Sequence, residues 1–312
     1  MSDKKLFLLD GHALVYRAHF AFISRPLINS KGVNTSAVAG FMRTLWDLMQ
    51  NQKPSHIAVA FDPKSTFRHD YFPEYKANRD AQPEDISIAM PYIKEILAAM
   101  KIPILFLDNY EADDLIGTIA KQAEKEGYDV YMVTPDKDYG QLVSDHIFMY
   151  KPSRQGNGVE ILGRKEILEQ WEIERVEQVI DSLGLIGDSV DNIPGVPGIG
   201  PKTAVNLLKE YGTVENVIAN AHNIKGKNGE RIKEFAEQAL LSKRLATIEI
   251  ESPVTFNEVD FQIDPMDKEA LAEIFKDLEF RSLAVQILGE TSGVQCSLFD
   301  IGEAKKSDEA TT

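Results

Sequence analysis

The sequence predicts an α/β fold, a mostly parallel central sheet flanked by helices, with a second half that is mainly helical. Three observations predict it. Over the first 150 residues, short apolar runs alternate with amphipathic helical patterns, the order expected of parallel strands joined by crossover helices. The same four apolar runs end in acidic residues or lead at once into them. From about Ile161 onward the pattern becomes helical.

The predicted strands are "KLFLLD" (Lys5–Asp10), "HIAVAFD" (His56–Asp62), "IPILFLD" (Ile102–Asp108) and "DVYMVTPD" (Asp129–Asp136). Between them, helical spacing covers Thr35–Asn51, Glu84–Met100 and Glu111–Glu126. In sheets of this kind a ligand sits beyond the carboxyl ends of the strands. Asp10, Asp62 and Asp136 close three of the strands, and Asp138 lies two residues further on. In "NYEADDLIGTIA", Glu111, Asp113 and Asp114 open the helix after the third strand.

Some acid in a first helical turn is ordinary, because the helix dipole favours it. Three carboxylates in four residues exceed that need, since like charges raise one another's pKa. Acid at four separated strand ends is expected to converge on one edge, where bound cations hold it together.

In the helical half, "GDSVDNIPGVPGIGPKTAVNLLKEYGTVENV" is the most informative stretch. Gly195, Gly198 and Gly200 permit a tight turn with uncovered backbone N–H groups. A helix is expected from Pro201 to Tyr211, stopped by Gly212. A glycine turn running into a helix N-terminus suits a phosphate. The spacing fits neither a Walker loop nor a dinucleotide fingerprint, so a sugar–phosphate backbone is the better match; a plain helix–helix connection is the alternative. Asp188 and Asp191, just upstream, are placed to reach the acidic cluster.

"KSTFRHDYFPEYKANRD" interleaves Lys64, Arg68, Lys76 and Arg79 with Phe67, Tyr71, Phe72 and Tyr75. Cations among aromatics suit a single strand, whose phosphates need charge and whose bases stack. The alternative is a surface loop with snorkelling basic side chains. Lys225, Lys227, Arg231 and Lys233 form a second basic stretch, a weaker indication of duplex contact.

Composition sets the limits. The chain has 312 residues, 43% hydrophobic, which is enough for one large or two modest domains with a proper core. No apolar run reaches membrane-spanning length, and "MSDKKLFLLDG" lacks the features of a signal peptide. Cys296 is the only cysteine, so no internal disulfide or cysteine zinc site exists, and a reducing, cytoplasmic setting is expected. The net charge of −15 argues against a nucleic-acid partner when taken whole. Residues 258–312 carry −8 of it and the nine acids assigned to the site another −9, which leaves the remaining body at +2. The global charge is therefore a poor guide to the binding face.

The blocks "LFLLDGHALVYRAHFAF", "AVAFDPKSTFRHDYFPEYKANR", "EADDLIGTIA", "TPDKDYGQLV" and "GDSVDNIPGVPGIGPKTA" closely resemble, in order, those of the 5′ nucleases of bacterial DNA polymerase I, in the flap endonuclease superfamily. The resemblance covers about residues 4–290. It implies a PIN-like, flap-endonuclease-like sheet over residues 1–160, with a helical arch or clamp at 63–83. It also implies a DNA-binding region at 161–290 with a helix–turn–helix of the helix-hairpin-helix type, and a flexible tail or linker at 291–312. A chain cut in the linker before a polymerase portion is favoured over a stand-alone nuclease.

The resemblance further implies two magnesium ions, with manganese as the candidate alternative, surrounded by Asp10, Asp62, Glu111, Asp113, Asp114, Asp136, Asp138, Asp188 and Asp191. A monovalent cation, K+, is the candidate at the glycine turn. Asp113, Asp114, Asp136 and Asp138 are expected nearest the metals, with Lys76 and Arg79 on the scissile phosphate. Tyr75 is expected to stack on a base, Arg17 to bind phosphate and Arg68 to contact a single strand, while Lys202 and Thr203, with the turn of Gly195, Gly198 and Gly200, are expected to hold duplex phosphate. The implied activity is 5′-3′ exonuclease and flap endonuclease, by a monomer, on nicked or 5′-flapped duplex, with RNA primers as a candidate substrate. In the tail, Gln295, Leu298 and Phe299 resemble a sliding-clamp-binding peptide; chance, or packing on the protein itself, is the competing reading.

The rival readings leave residues unexplained. A metal-dependent phosphatase would show D-x-D on the first strand, which "LLDG" lacks. Ribonucleases of similar sheet architecture are usually shorter. A non-catalytic module that binds branched DNA needs no set of nine acids.

Overall fold

A computed structural model describes residues 4–152 and 158–289. The core element is β1 (Lys5–Asp10), whose Leu6, Phe7, Leu8 and Leu9 are all fully buried. A strand covered on both faces needs an unbroken apolar run, and this one has it. Alternate side chains serve opposite layers. Phe7 and Leu9 pack with α1 (Gly11–Ala21), α2 (Ser36–Gln52) and α4 (Glu84–Ala99), while Leu6 and Leu8 pack with α5 (Ala112–Lys125). The short helix α3 (Arg68–Tyr71) lies in the segment before α4.

The six-stranded sheet has the order β3-β2-β1-β4-β5-β6, with β2 at His56–Ala60, β3 at Ile104–Leu105, β4 at Asp129–Val133, β5 at Ile147–Pro152 and β6 at Val159–Leu162. All pairings are parallel except β5 with β6. The chain builds outward from β1 through β2 to β3, then returns to the other side of β1 with β4. That reversal makes the carboxyl ends of β1 and β4 a topological switch point, the favoured place for a ligand.

The elements differ from expectation in four places. Strand β3 keeps two residues of the predicted seven-residue run; it is the sheet edge, and Pro103 before it has no N–H to give a ladder. β5 and β6 were not foreseen. β6 exposes three of its four residues, so it carries little apolar pattern, and it extends the sheet to Leu162, past the division expected at residue 160. The implied helical arch over 63–83 contains only α3. Pro73 holds Phe72 extended, at φ −148°, and so ends the helix.

The second half runs α6 (Arg164–Trp171), α7 (Gln178–Ile186), α8 (Pro201–Tyr211), α9 (Val214–Ala219), α10 (Lys227–Glu234) and α11 (Ala236–Ala246). Leu185, Val196, Leu208, Val217 and Ile232 form its own small core. Helices α12 (Glu258–Phe261), α13 (Lys268–Asp277) and α14 (Arg281–Leu288) then return to the sheet, where Phe275 and Leu283 join the α2/α4 layer. Among the described residues no helix is long and apolar enough to cross a membrane.

Candidate active site

Asp10 ends β1 and caps α1. Its Oδ1 accepts from the Ala13 N–H at 3.0 Å, and its Oδ2 from the Thr134 and Tyr139 hydroxyls at 3.2 and 3.3 Å. One carboxylate thus ties β1 to the end of β4. Asp62, just beyond β2, accepts from the Ala112 N–H at 2.8 Å and lies against His12. Asp136 caps the turn after β4 by accepting from the Asp138 N–H at 3.0 Å. Asp113 stands in the first turn of α5. Asp10, Asp62, Asp113 and Asp136 line one cleft of about 1300 Å³, together with Arg17, Lys76 and Arg79.

The charges in this cleft are poorly balanced. Burial, with Asp62 and Asp136 nearby, lifts the Asp10 carboxyl to about 7. Burial and then repulsion from Asp114 and Glu111 push Asp113 well above the carboxylate range. Burial also raises Asp136, and burial with Asp136 lifts Asp138 to about 8. Asp62 is the exception: burial raises it, but His12, Lys76 and the Ala112 N–H outweigh that and hold it at about 2. Asp138 Oδ1 is enclosed and has no hydrogen-bond partner among the described residues. An orphaned carboxylate oxygen amid raised carboxyls is what a hard cation site requires, so the donors present fit divalent metal.

Asp188 and Asp191 reach the site from the helical half on a tight turn. The Asp188 and Ile193 backbones exchange hydrogen bonds of 2.9 and 2.7 Å. Gly187 and Gly195 flank this turn at φ +77° and +60°; a Cβ on Gly195 would stand 2.3 Å from the Gly187 nitrogen, so only glycine permits the approach. The turn is bonded to the 63–83 segment. The Lys76 N–H donates to the Asp191 carbonyl at 3.0 Å, the Asn78 amide to the Ser189 carbonyl at 2.6 Å, and the Asn192 amide to the Glu74 carbonyl at 2.7 Å. Lys76 itself has φ +56°, a costly conformation for a non-glycine residue that these bonds hold in place. Asp188 pairs with Lys137 at 2.7 Å, which more than offsets the effect of burial and lowers its carboxyl pKa. Asp191 pairs with Arg79 and lies 3.7 Å from Lys76.

Five of the expected site residues are engaged within the protein itself. Glu111, Asp113 and Asp114 bring one carboxylate oxygen each within 4.8 Å of one another, yet Glu111 and Asp114 are spoken for. Asp114 is wholly buried and accepts four hydrogen bonds, two from Arg68 and one each from the Glu111 and Glu249 N–H groups. Glu111 accepts from Arg68, Tyr75 and Lys76. Neither lines the cleft itself, and with Asp113 they form an acid group close enough together to hold a metal ion. Arg68 is 1% exposed and Tyr75 is buried, and both face Glu111. Gly195 is buried too, its N–H donating to Ser242 Oγ at 2.9 Å, so it offers no free N–H to a phosphate. Gly198, Gly200, Lys202 and Thr203 lie at the α8 start, apart from the cleft lining. Gln295, Leu298 and Phe299 lie outside the described residues.

His12, Thr134 and Tyr139 were missed. Their signal was nearness to the acids in "DGH" and "TPDKDY", which marks many structural residues equally.

Residues 5–172 match the family model of the 5′-3′ exonuclease N-terminal resolvase-like domain, and residues 174–269 that of the 5′-3′ exonuclease C-terminal SAM fold. The chain is 44% identical to DNA polymerase I of Bacillus subtilis over 93% of its length, which is 33% of that relative. It is 36% identical to a 5′-3′ exonuclease of Aquifex aeolicus, covering 91% of this chain and 95% of that one. The chain therefore spans about a third of the length of its polymerase relatives. Among solved structures, zinc-bound T5 5′-exonuclease superposes with a TM-score of 0.67 at 22% identity, over 89% of this chain and 99% of that one. The Rad2 catalytic core gives 0.61 at 17%, over 92% of each chain. At those identities the two structures show the shared fold.

Proposed function

The chain belongs to the 5′-3′ exonuclease family, and from that premise we propose that it hydrolyses phosphodiester bonds of DNA near a 5′ end or flap junction, as the nuclease portion of a DNA polymerase I. The observation that carries this reading is the cleft itself. Acids from β1, from the segments after β2 and β4, and from α5 meet cations from the 63–83 segment in one open space. A small-ester hydrolase would have no use for so long a basic wall.

Asp10, Asp62, Asp113, Asp136 and Asp138 are the residues that would hold divalent cations, with Asp188 and Asp191 completing the set. Two magnesium ions are proposed, manganese being the alternative. Bound there, they would supply an activated water and neutralise charge on the leaving oxygen. The protein's own residues do the rest. Asp10 and Asp136 fix the spacing of the site, through the Thr134 and Tyr139 hydroxyls and the turn cap. Arg79 and Lys76 now rest on Asp191 and Glu111; a scissile phosphate would take over part of those contacts and gain positive charge as its own negative charge develops. Arg17 lines the same cleft and suits a neighbouring phosphate.

We assign duplex contact to the helical half through Lys202, Thr203 and the glycine turn, with K+ as the candidate ion at that turn. RNA primers are a proposed second substrate, and a monomer in the cytoplasm the proposed working form. Clamp binding by the tail remains a proposal from sequence. Incubation with a 5′-flapped duplex and magnesium, beside a small phosphate ester, tests the main reading. Release of short 5′ products from the flap alone is expected; hydrolysis of the ester alone would overturn it.

A further inference from the structure

The carboxyl edge of the sheet carries an acid beyond β1, β2 and β4, but beyond β3 it carries a bare aromatic ring. Phe106 follows Leu105 directly and is 50% exposed. One half-exposed phenylalanine needs no explanation. This one lines the acidic cleft, alongside Tyr16, Phe20 and Met90. A cation accompanies it. Lys94, on the exposed side of α4, places Nζ 5.8 Å from the Phe106 ring centre and 5.8 Å from that of Phe61. Phe61 is buried, meets His12 edge-on at 5.4 Å, and directly precedes Asp62. The Phe61 N–H donates to the Leu105 carbonyl at 3.0 Å, so the two strand ends are held side by side. Because β3 is the edge strand, Phe106 and Lys94 stand on the Asp62 side of the acids, away from Asp136.

We propose that Phe106 and Lys94 form a nucleobase subsite for single-stranded DNA leaving the acidic centre, with the ring stacking on a base and Lys94 meeting the adjoining phosphate. Only a single strand presents open base faces, and an aromatic ring accepts any of the four bases. Lys94 already lies within reach of the ring face, so a phosphate bound there keeps the base close to it. The inference rests on the nuclease reading above, but it concerns binding rather than cleavage.

The test measures binding without cleavage, by fluorescence anisotropy of a labelled 5′-flapped duplex in chelator. The flap is prepared with normal bases or with abasic residues. Phe106→Ala should weaken binding of the normal flap roughly five- to a hundred-fold, the range for loss of one stacked base. Phe106→Trp should restore it. The abasic flap should bind wild-type protein as weakly as the normal flap binds the alanine variant, with no further loss on substitution. Lys94→Ala should weaken binding and flatten its salt dependence by about one phosphate contact. Equal losses on both flaps, no loss on either, or no rescue by tryptophan would each overturn the subsite. Wild-type protein that shows the base-dependent binding yet never cuts in magnesium would overturn the nuclease reading and leave the subsite standing.

Discussion

Arg68 and Asp114 form a two-point ion pair sealed from solvent. Nη1 meets Oδ2 and Nη2 meets Oδ1, each at 2.8 Å. The remaining guanidinium N–H groups donate to Glu111 and to the Leu245 and Thr247 carbonyls. A buried charge is tolerable only when paired and fully hydrogen-bonded, and this one is. The pair joins the 63–83 segment, α5 and the end of α11.

Arg68→Ala should therefore act on stability before chemistry. Removing one partner of a buried pair costs about 3–5 kcal/mol, because the other charge is stranded. Urea denaturation should show a loss of that order. An unchanged midpoint would mean that solvent reaches the pair.

Asp114→Asn and Asp136→Asn should part company. The first weakens the Arg68 pairing and destabilises the fold. The second relieves a raised carboxyl at the cleft, so the metal-free fold should hold or gain stability while cleavage is abolished. DNA binding by Asp136→Asn should survive or tighten, since a repelling charge is gone. Near-normal magnesium-dependent turnover by Asp136→Asn would sink the metal-site assignment.

Metal-free protein should lose stability as pH rises. Asp10, at about 7, and Asp138, at about 8, hold protons in the native state that the unfolded chain has already released above its ordinary pKa near 4. Wherever the native state binds more protons, stability falls with rising pH, so these two groups work against the fold progressively between about pH 4 and 8. Asp62, held at about 2, acts in the opposite sense and only at acid pH. Magnesium displaces the protons and should flatten the decline. Thermal melts at pH 5.5 and 8 in chelator, repeated with magnesium, measure it; identical melts in both would contradict the cation site.

Lys76→Ala should slow single-turnover cleavage at saturating DNA far more than it weakens duplex binding, because a cation on the reacting phosphate acts mainly in the transition state. Lys202→Ala should do the reverse and flatten the salt dependence of binding. A normal single-turnover rate for Lys76→Ala would reduce that residue to a support for Glu111.

What the sequence could and could not disclose follows from the range of each interaction. β1 ends at Asp10 and α8 runs from Pro201 to Tyr211, as read from apolar run, proline and glycine, all local cues. The acids beyond β1, β2 and β4 were legible because strand-end position is itself local. The role of Arg68 was not. A basic residue among aromatics reads the same whether it faces water or a carboxylate, and its partner Asp114 lies 46 residues away. Gly195 is alike: the need for glycine was visible, but the backbone it lies against was not.

The bonds from Lys76, Asn78 and Glu74 to the 189–192 turn have a mechanical meaning. Only Ile193 to Gly200 separates that turn from the first residue of α8. A duplex held at α8, as proposed, would thus be tethered at short range to Lys76 in the acidic cleft, with little slack to take up. Such an arrangement would work as a gauge. The point of attack would be counted off from the held end by the stiffness of the turn, and lengthening the 196–200 stretch by even one residue should move the cut along the strand before it weakens the grip.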